Sequence, residues 1–547
     1  MLFEIPFKSG YGYSIGSGKG ADSLSGVGYL NVPEGYSYLE NVVFREDDVL
    51  RPPFAESNFG AAVGTGAVIA VFTTRDTIFV IGGNSKVYYS TNSGVSWTEA
   101  TWAGAGLAPS FPVGDYQFIQ FSNEHFIFKC TSTNSQVTYI ITGASGVAKT
   151  FDYLYPSDSV KTIGQSICVH ENRVLIANGR TIRYSEVGDY STGYDNNTVN
   201  VHSANENILF MYDIQGGLFV FKNNSVFLKN DIDEEGITSF QFAAPVISNF
   251  STIIDVRVFD GDIYALTKGG LFRFNGSSFQ ELSVPLKGEW FSPGRQNDVW
   301  KLGYWRFMKQ IYVSNLTTNK VYILDLLTNR WSKIDGTHDI YCCDDATGYL
   351  IFADGTNQLK YLNANSYKTG AATIQTPFHD LGNPFMDKYL RGIYFNGDGE
   401  FTFKAYGRRN VGETPFELGM TGEGDTTKTV NTGTRTGTGT ITSNSTTVTG
   451  TGTAFLTEVK QGDVITVDSK TARVQYVTSN TSLTLYSGFS SNVTGKAFTI
   501  DRAHDKEMIF IRPDVPWRDI SVKVTSSSAG AILKSIGILF DVRPEAV

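Results

Sequence analysis

The sequence predicts an all-β fold, and three observations lead to this prediction. Glycine accounts for 56 of the 547 residues, a share that favours many turns. Aromatic residues make up 13% of the chain, with 28 Tyr and 38 Phe, and they suit half-buried pleated surfaces. Short apolar runs separated by Gly, Asn and Ser recur along the first two thirds of the chain. Neither a glycine period nor an apolar heptad is present, which excludes collagen-like and coiled-coil folds.

A repeated strand–turn–strand pattern sets the expected architecture. Its apolar anchors are spaced 39 to 48 residues apart: Ile78, Phe126, Val174, Leu218, Ile263, Ile311 and Leu350. Four short strands with their turns need about 40 to 45 residues, which is the period of a propeller blade. Such sheets bury both faces only by packing against their neighbours. We predict a β-propeller of about seven blades over residues 56–366; a series of β-sandwiches with the same spacing is the alternative.

A sharper local pattern lies in the first repeat, where Ser90, Asn92, Gly94, Ser96 and Trp97 follow one another at fixed spacing. This pattern resembles the Asp-box of sialidase-type propellers, with Asn in the place of Asp and Ser in the place of Thr. In that family the box is a folding element remote from catalysis. The resemblance therefore implies a structural hairpin here, in which glycine allows a positive φ and tryptophan packs over the turn.

The repeat stops after about residue 366, and the remaining segments predict a different β domain. Residues 367–432 and 501–547 are expected to form the two halves of one sandwich-like platform domain. Residues 433–500 are expected to be an inserted small β-barrel-like module, because Val, Ile and Thr alternate there. Residues 1–55 carry no clear period and are expected to form an arm that docks on the platform.

Candidate catalytic and metal-binding groups are weak in this sequence. Glycoside hydrolysis needs a pair of carboxylates, and candidate pairs occur at Asp344–Asp345 and within 231–235. Acidic clusters of this kind are usually found in solvated loops. The stretch 231–236 resembles the start of a calcium loop, but its twelfth position is Phe242 instead of a carboxylate. The histidines show no metal-ligand spacing: His125, His170, His202, His338, His379 and His504. We predict no catalytic, cofactor or metal site, and no enzyme activity.

Charge and basic clusters argue against tight nucleic-acid binding. The chain carries a formal net charge of −9, whereas a protein that grips phosphate usually presents a basic face. Basic residues adjoin aromatic ones only locally, within Lys301–Arg306. Arg408 and Arg409 follow an expected strand, where they could serve a subunit contact; a solvated turn is the alternative. The four cysteines fit reduced thiols, and we expect no secretory signal and no membrane-spanning segment.

The combination of these parts resembles the tail hub, or nozzle, proteins of short-tailed bacteriophages. The resemblance rests on the repeat, on a terminal β domain that ends in Ala531–Leu539, and on the inserted module with its Thr446–Phe455 and Gly462–Ile465 segments. The module looks like small β-modules of phage tail and baseplate proteins. Tyr29–Val32 followed by Arg51–Phe54 is similar to the opening of such hubs.

The resemblance implies a structural virion protein that forms a ring, expected to be a homohexamer, beneath the portal and adaptor proteins. The ring would continue the DNA channel, anchor fibres or spikes, and let the genome pass during ejection without specific binding. It would be assembled in the host cytoplasm and located in the virion tail. An acidic or neutral lumen suits this role, because phosphate contacts would retard the DNA. The alternatives are a receptor- or carbohydrate-binding propeller and a sialidase-like hydrolase.

Overall fold

A computed structural model gives the fold of the chain. It describes residues 2–6, 13–14, 38–40, 43–44, 50–51, 53–104, 107–130, 138–144, 147–154, 165–201, 206–214, 216–223, 225–229, 247–248, 252–274, 279–286, 290, 297–327, 329–344, 347–367, 372–375, 378, 387–409, 413–419, 427–431, 434–501, 506–510, 515–527 and 531–543. The expected strand Tyr29–Val32 lies outside these residues. Nearly all the regular structure is β, as the sequence predicts, and no helix among the described residues is long and apolar enough to cross a membrane.

The chain divides into two compact units. Unit 1 comprises Met1–Pro53 and Ser366–Val547, and unit 2 comprises Phe54–Asn365. Unit 2 is therefore an insertion in the sequence of unit 1. Phe54 and Ala55 belong to unit 2, although the sequence predicts them as the end of an N-terminal arm.

The described residues of unit 2 form seven sheets in chain order, in which neighbouring strands are antiparallel except at one edge of sheet 2. Sheet 1 comprises Val68–Thr73, Ile78–Gly82, Lys86–Ser90 and Thr98–Glu99. Sheet 2 comprises Tyr116–Gln120, His125–Cys130, Tyr139–Thr142 and Thr150–Tyr153, with Thr101–Trp102 added in parallel at its outer edge. Sheet 3 comprises Ser166–His170, Arg173–Asn178, Thr181–Tyr184 and Thr198–Asn200. Sheet 4 comprises Ile208–Ile214, Gly217–Lys222, Ser225–Lys229 and Ile247–Ser248.

The remaining three sheets follow the same plan. Sheet 5 comprises Ile253–Phe259, Asp262–Thr267, Gly270–Phe274 and Phe279–Glu281. Sheet 6 comprises Trp300–Trp305, Gln310–Asn315, Lys320–Asp325 and Arg330–Asp335. Sheet 7 comprises Ile340–Cys343, Leu350–Ala353, Leu359–Tyr367 and, from the start of the unit, Phe54–Asn58. Short 3-10 turns occupy Val284–Leu286 and Arg306–Met308.

The repeated sequence pattern maps onto these sheets. All seven apolar anchors lie on the second strand of successive sheets, and none has more than 3% of its surface exposed. In sheets 3 and 5 a two-residue turn joins the first and second strands. Glu171–Asn172 and Asp260–Gly261 are two-residue turns with positive φ at both positions, which is the type I′ geometry that matches strand twist.

Side-chain packing joins each sheet of unit 2 to the next. Continuous buried clusters span sheets 1 and 2, 2 and 3, 3 and 4, 4 and 5, and also 7 and 1. Ring contacts join sheets 5 and 6, where the centroids of Phe259 and Tyr304 lie 4.7 Å apart. They also join sheets 6 and 7, where Tyr312 and Tyr341 lie 6.0 Å apart. The first strands of sheets 7 and 1 are in contact as well, so the series of sheets meets its own beginning.

Unit 1 contains two larger sheets that draw strands from both ends of the chain. The first comprises Leu2–Pro6, Val43–Phe44, Leu50–Arg51, Asp387–Asp398, Lys506–Phe510 and Ile532–Arg543. The second comprises Tyr38–Glu40, Ala372–Gln375, Glu400–Arg408, Phe416–Glu417, Lys428–Asn431 and Asp519–Ser526. The ring of Phe395 in the first sheet lies 5.9 Å from Phe401 and 4.7 Å from Phe403 in the second. These aromatic contacts join the two sheets.

The inserted module of unit 1 has its own eight-stranded sheet. In spatial order its strands are Arg435–Thr436, Thr499–Asp501, Val464–Val467, Lys470–Ser479, Ser482–Leu485, Thr447–Thr451, Thr440–Asn444 and Val493–Lys496. A short helix spans Phe455–Glu458. The module has a separate buried core, in which Phe455 and Val474 have no exposed surface.

Candidate functional site

Five charged residues come together where the first strands of sheets 2, 5, 6 and 7 approach one another. We name them the first-strand cluster: Asp115, Asp255, Arg257, Lys301 and Asp339. Two of the carboxylates lie one residue before a first strand, and the other three members lie within first strands. They come from four different repeats and share no local motif, so nothing in the sequence pattern indicates the cluster.

The first-strand cluster contains two separate sets of ion pairs. Lys301 Nζ donates a hydrogen bond to Asp115 and lies 3.9 Å from Asp339 Oδ1. Arg257 Nε donates to Asp255 Oδ2 over 3.2 Å. Three carboxylates therefore face two cations, and the cluster holds an excess of one negative charge when all five groups are ionised.

Burial changes the protonation behaviour of two of these carboxylates. It raises the pKa of Asp255, and the charge of Arg257 opposes that rise. It likewise raises the pKa of Asp339, where Lys301 opposes the rise. Because the pKa of both groups lies above the usual value, the cluster takes up protons on acidification before ordinary surface carboxylates do.

The cavity enclosed by the first-strand cluster is small, at about 50 Å³. That volume holds about one or two water molecules and no sugar ring. The ion pairs of Lys301 join sheets 2, 6 and 7, whereas the Arg257–Asp255 pair lies within the first strand of sheet 5. Lys301 belongs to the short basic–aromatic segment Lys301–Arg306, and its carboxylate partners leave it unsuited to binding phosphate.

The Asp-box-like turn is closed by its own side chains. Ser90 Oγ donates a hydrogen bond to Asn92 Oδ1 over 2.8 Å and accepts one from the Gly94 amide over 2.9 Å. Asn92 Oδ1 also accepts from the Ser96 amide over 3.1 Å, and Asn92 Nδ2 donates to Ser96 Oγ over 2.9 Å. An asparagine can make both side-chain contacts, since its amide carries a donor and an acceptor.

The same turn is fixed against the start of unit 2. Trp97 Nε1 donates to the carbonyl of Ala61 over 2.9 Å. Gly94 has a φ of +80°, and a Cβ there would lie 2.7 Å from the ring of Phe59. The position therefore requires glycine for its backbone and for space. These contacts fasten the turn between the third and fourth strands of sheet 1.

Arg408 and Arg409 have different environments. Arg408 is 4% exposed, and its Nε donates to Asp519 Oδ2 over 2.8 Å. Its guanidinium also lies 4.5 Å from the ring centroid of Phe378. It forms an internal ion pair of unit 1 and is not on a solvated turn. Arg409 is exposed, so the subunit contact stays a prediction for Arg409 alone.

The other candidate groups are separate from one another. Asp344 is buried and accepts hydrogen bonds from Thr347, which closes a turn. His125, His170 and His338 contact Ser122, Asp213 and Glu56 respectively, at 2.8, 2.6 and 3.2 Å. The remaining candidates lie outside the described residues: Asp345, the stretch 231–236, His202, His379 and His504. Within the described part of the chain, no group of three or more His, Cys, Asp or Glu residues is arranged to hold a metal ion. All four cysteines are free thiols.

Comparisons with known proteins do not identify a family. No protein-family model and no curated protein sequence matches the chain. Among solved structures, the computationally designed Ika8 protein is 10% identical, with a TM-score of 0.37 over 56% of this chain and 99% of its own. The extracellular domain assigned to a one-component system of B. thetaiotaomicron is 10% identical, with a TM-score of 0.42. The match covers 74% of this chain and 60% of that domain. A third structure is a catalytically inactive virginiamycin B lyase variant from Staphylococcus aureus with quinupristin. It is 12% identical, has a TM-score of 0.38, and the match covers 56% of this chain and 98% of the lyase. Similarities at this level carry no argument about function.

Proposed function

We propose that unit 2 is a seven-bladed β-propeller and that the protein is a structural ring component of a short phage tail. The observation that carries the first half is the unbroken series of seven sheets, each packed on the next and the seventh on the first. The strand Phe54–Asn58, from the start of the unit, completes the last sheet. This arrangement is typical of propellers, which join their two ends within one blade.

The tail assignment is supported by the combination of parts that the resemblance requires. The sheet series is inserted into a β domain that is built from both ends of the chain, and that domain carries an eight-stranded module of its own. A closed ring of identical copies also needs a heterologous interface, in which two different surface patches meet around an axis. The exposed Arg409 is one candidate for such a patch.

Among the described residues, the first strands of unit 2 enclose a cavity of about 50 Å³ at the first-strand cluster, which is far too small for a DNA duplex. The neighbouring first strands of sheets 4 and 5 are in direct contact, since Tyr212 donates a hydrogen bond to the carbonyl of Val256. A DNA channel would therefore have to lie between copies, in the lumen of the ring. The net charge of −9 is consistent with a lumen that does not bind phosphate.

Mass measurement tests the ring directly. We expect native mass spectrometry and negative-stain imaging to show hexameric rings, either for the protein alone at high concentration or with its portal and adaptor complex. A protein that stays monomeric under both conditions and is missing from purified virions would falsify the assignment. Duplex DNA should not be retained by the rings at low salt, and tight, salt-sensitive retention would contradict a lumen that lets the genome slide.

A carbohydrate-binding role is the second candidate, and one observation favours it. Tyr476 and Tyr486 are 51% and 56% exposed. Tyr476 pairs with Thr484, two residues before Tyr486, so the two rings lie on the same outer face of the module sheet. Exposed tyrosines of this kind can stack on sugar rings. Binding on a glycan array that is lost in the Tyr476→Ala and Tyr486→Ala variants would support this role, and no binding by the wild type would exclude it.

A further inference from the structure

A second cavity of unit 2, of about 370 Å³, adjoins the first-strand cluster, and Arg257 lines both. Its walls come from the first strands of sheets 5, 6 and 7 and from the turn after the first strand of sheet 6. We propose that this cavity binds a small organic monocarboxylate, which the Arg257 guanidinium holds. The proposal does not depend on ring formation or on a phage tail.

Arg257 supplies the recognition group. Its Nε is used by Asp255, which is 5% exposed and fixes the position of the guanidinium. Among the described residues, its two terminal nitrogens have no hydrogen-bond partner, and 34% of the side chain is accessible. Two parallel N–H groups of an arginine match the two oxygens of a carboxylate in a bidentate pair.

The cavity also offers an apolar wall and enough space for such a ligand. The stacked rings of Phe259 and Tyr304, 4.7 Å apart, form one side, and Tyr341 lies on another. Ligand pockets typically have volumes from about 300 Å³ upward and combine apolar walls with a few polar groups. An aromatic or branched carboxylate could pair its carboxylate group with Arg257 and place its apolar part against this wall.

The charge balance favours a single negative charge on the ligand. Arg306 also lines the cavity, but its Nε lies 3.6 Å from Asp260. Burial raises the pKa of Asp260, yet hydrogen bonds from Lys309 and Tyr304 outweigh this effect, so its pKa lies below the usual value and it is ionised at neutral pH. With Asp255 and Lys309 included, the groups nearest the cavity carry an excess of one positive charge. The other members of the first-strand cluster, Asp115, Asp339 and Lys301, reduce this excess to zero, so a monoanion suits the site better than a dianion. A dianionic phosphate would be repelled by the nearby carboxylates of Asp255 and Asp260, and the cavity wall offers too few hydrogen-bond donors to offset this repulsion.

Calorimetric titration of the full-length protein with benzoate tests the proposal. We expect benzoate to bind in the millimolar range or more tightly, and methyl benzoate, which lacks the charge, not to bind. The Arg257→Gln variant should weaken benzoate binding roughly tenfold or more, because a charge-assisted bidentate pair is lost. The Arg257→Lys variant keeps the positive charge and the Asp255 partner, so it should remain folded. It should still bind benzoate, but several-fold more weakly than the wild type does.

The matched control is Arg273→Gln. Arg273 pairs with Asp262 over 2.6 Å on the same sheet but does not line the cavity. Its loss should leave benzoate binding unchanged. Three results would overturn the proposal: no benzoate binding by the wild type, equal binding of benzoate and its methyl ester, or unchanged binding in both Arg257 variants. Tighter binding of phosphate than of benzoate would overturn the assignment to a monocarboxylate.

Discussion

Lys129 is a lysine without exposed surface, on the second strand of sheet 2. Burial lowers its pKa from 10.5 to about 8, although the nearby Cys130 raises it slightly. Between these two pH values the unfolded chain binds more protons than the folded chain does. Lys129 therefore makes a contribution to the free energy of unfolding that rises with pH across this interval. Above pH 9 the thiols of Cys168 and Cys342, whose pKa is raised by burial, act in the opposite direction.

The Lys129→Met variant should lack that contribution. The shift from 10.5 to about 8 corresponds to about 3 kcal/mol, so the free energy of unfolding of the wild type relative to that of the variant should rise by about this amount between pH 8 and 10.5. Urea denaturation at a series of pH values measures it. The Lys86→Met variant is the control, because Lys86 is a surface lysine paired with Glu99. The same pH dependence of the free energy of unfolding in the wild type and in Lys129→Met would contradict the shifted pKa of Lys129.

The Gly94→Ala variant tests the role of a single residue in the Asp-box-like turn. Gly94 has a φ of +80° and lies against the ring of Phe59, whereas Gly355 has a φ of +84° and open space within 4 Å of the point where a Cβ would lie. Gly355→Ala should cost about 1 kcal/mol of stability from backbone strain alone. Gly94→Ala should cost about 1–3 kcal/mol more, because the methyl group overpacks the site. Equal losses in chemical denaturation would contradict the role of the Phe59 contact.

Local residue patterns were predictable, and long-range pairs were not. The box turn is closed by hydrogen bonds between residues two to four positions apart, so its pattern is visible in the sequence. Arg408 instead pairs with Asp519, which is 111 positions away and beyond the module. The members of the first-strand cluster are separated in the same way. A charged residue in a strand carries no local sign of the partner that the fold brings to it.

At the scale of elements, the inserted module is built as an independent unit. Its first and last strands, Arg435–Thr436 and Thr499–Asp501, pair with each other, so the chain enters and leaves at neighbouring positions. We expect a fragment of residues 434–501 to fold cooperatively, and circular dichroism with thermal denaturation measures this. Replacing residues 434–501 by a short Gly/Ser linker should leave the remaining protein folded.

A variant with a charge in the module core provides the control. Val474 has no exposed surface, so Val474→Asp should unfold the fragment by burying an unpaired carboxylate. If the wild-type fragment is unfolded while the full-length protein is folded, the module depends on the rest of unit 1. The strands of the module are well predicted from sequence, because Val, Ile and Thr alternate between buried and exposed positions along it.

The edge strands show where prediction from sequence fails. The strand Phe54–Asn58 begins within the segment predicted as an N-terminal arm, because its five residues show no repeat of their own. Its partner, Leu359–Tyr367, lies about 300 positions later. The apolar anchors were predictable since each second strand is buried on both faces, whereas an edge strand is specified mainly by backbone hydrogen bonds.

At the scale of the whole molecule, this strand has a measurable consequence for unit 2. Phe54 is 8% exposed, and its ring centroid lies 5.7 Å from that of Trp305 in sheet 6. Unit 2 expressed as residues 59–365 should melt at a lower temperature than residues 54–365. It should also self-associate, because the edge of Leu359–Tyr367 is left unpaired. Light scattering and calorimetry measure both effects, and identical behaviour of the two fragments would argue against closure through this strand.

The pairing of Leu2–Pro6 with Ile532–Arg543 aligns Leu2 with Leu539, almost the full length of the chain apart. During synthesis the strand Leu2–Pro6 must wait, without its partner, until the ribosome has translated Ile532–Arg543. Unit 2 has all of its own strands available much earlier and can fold while unit 1 is still incomplete. A translation product that stops before Ile532 would therefore contain a folded insertion beside an unfinished sheet.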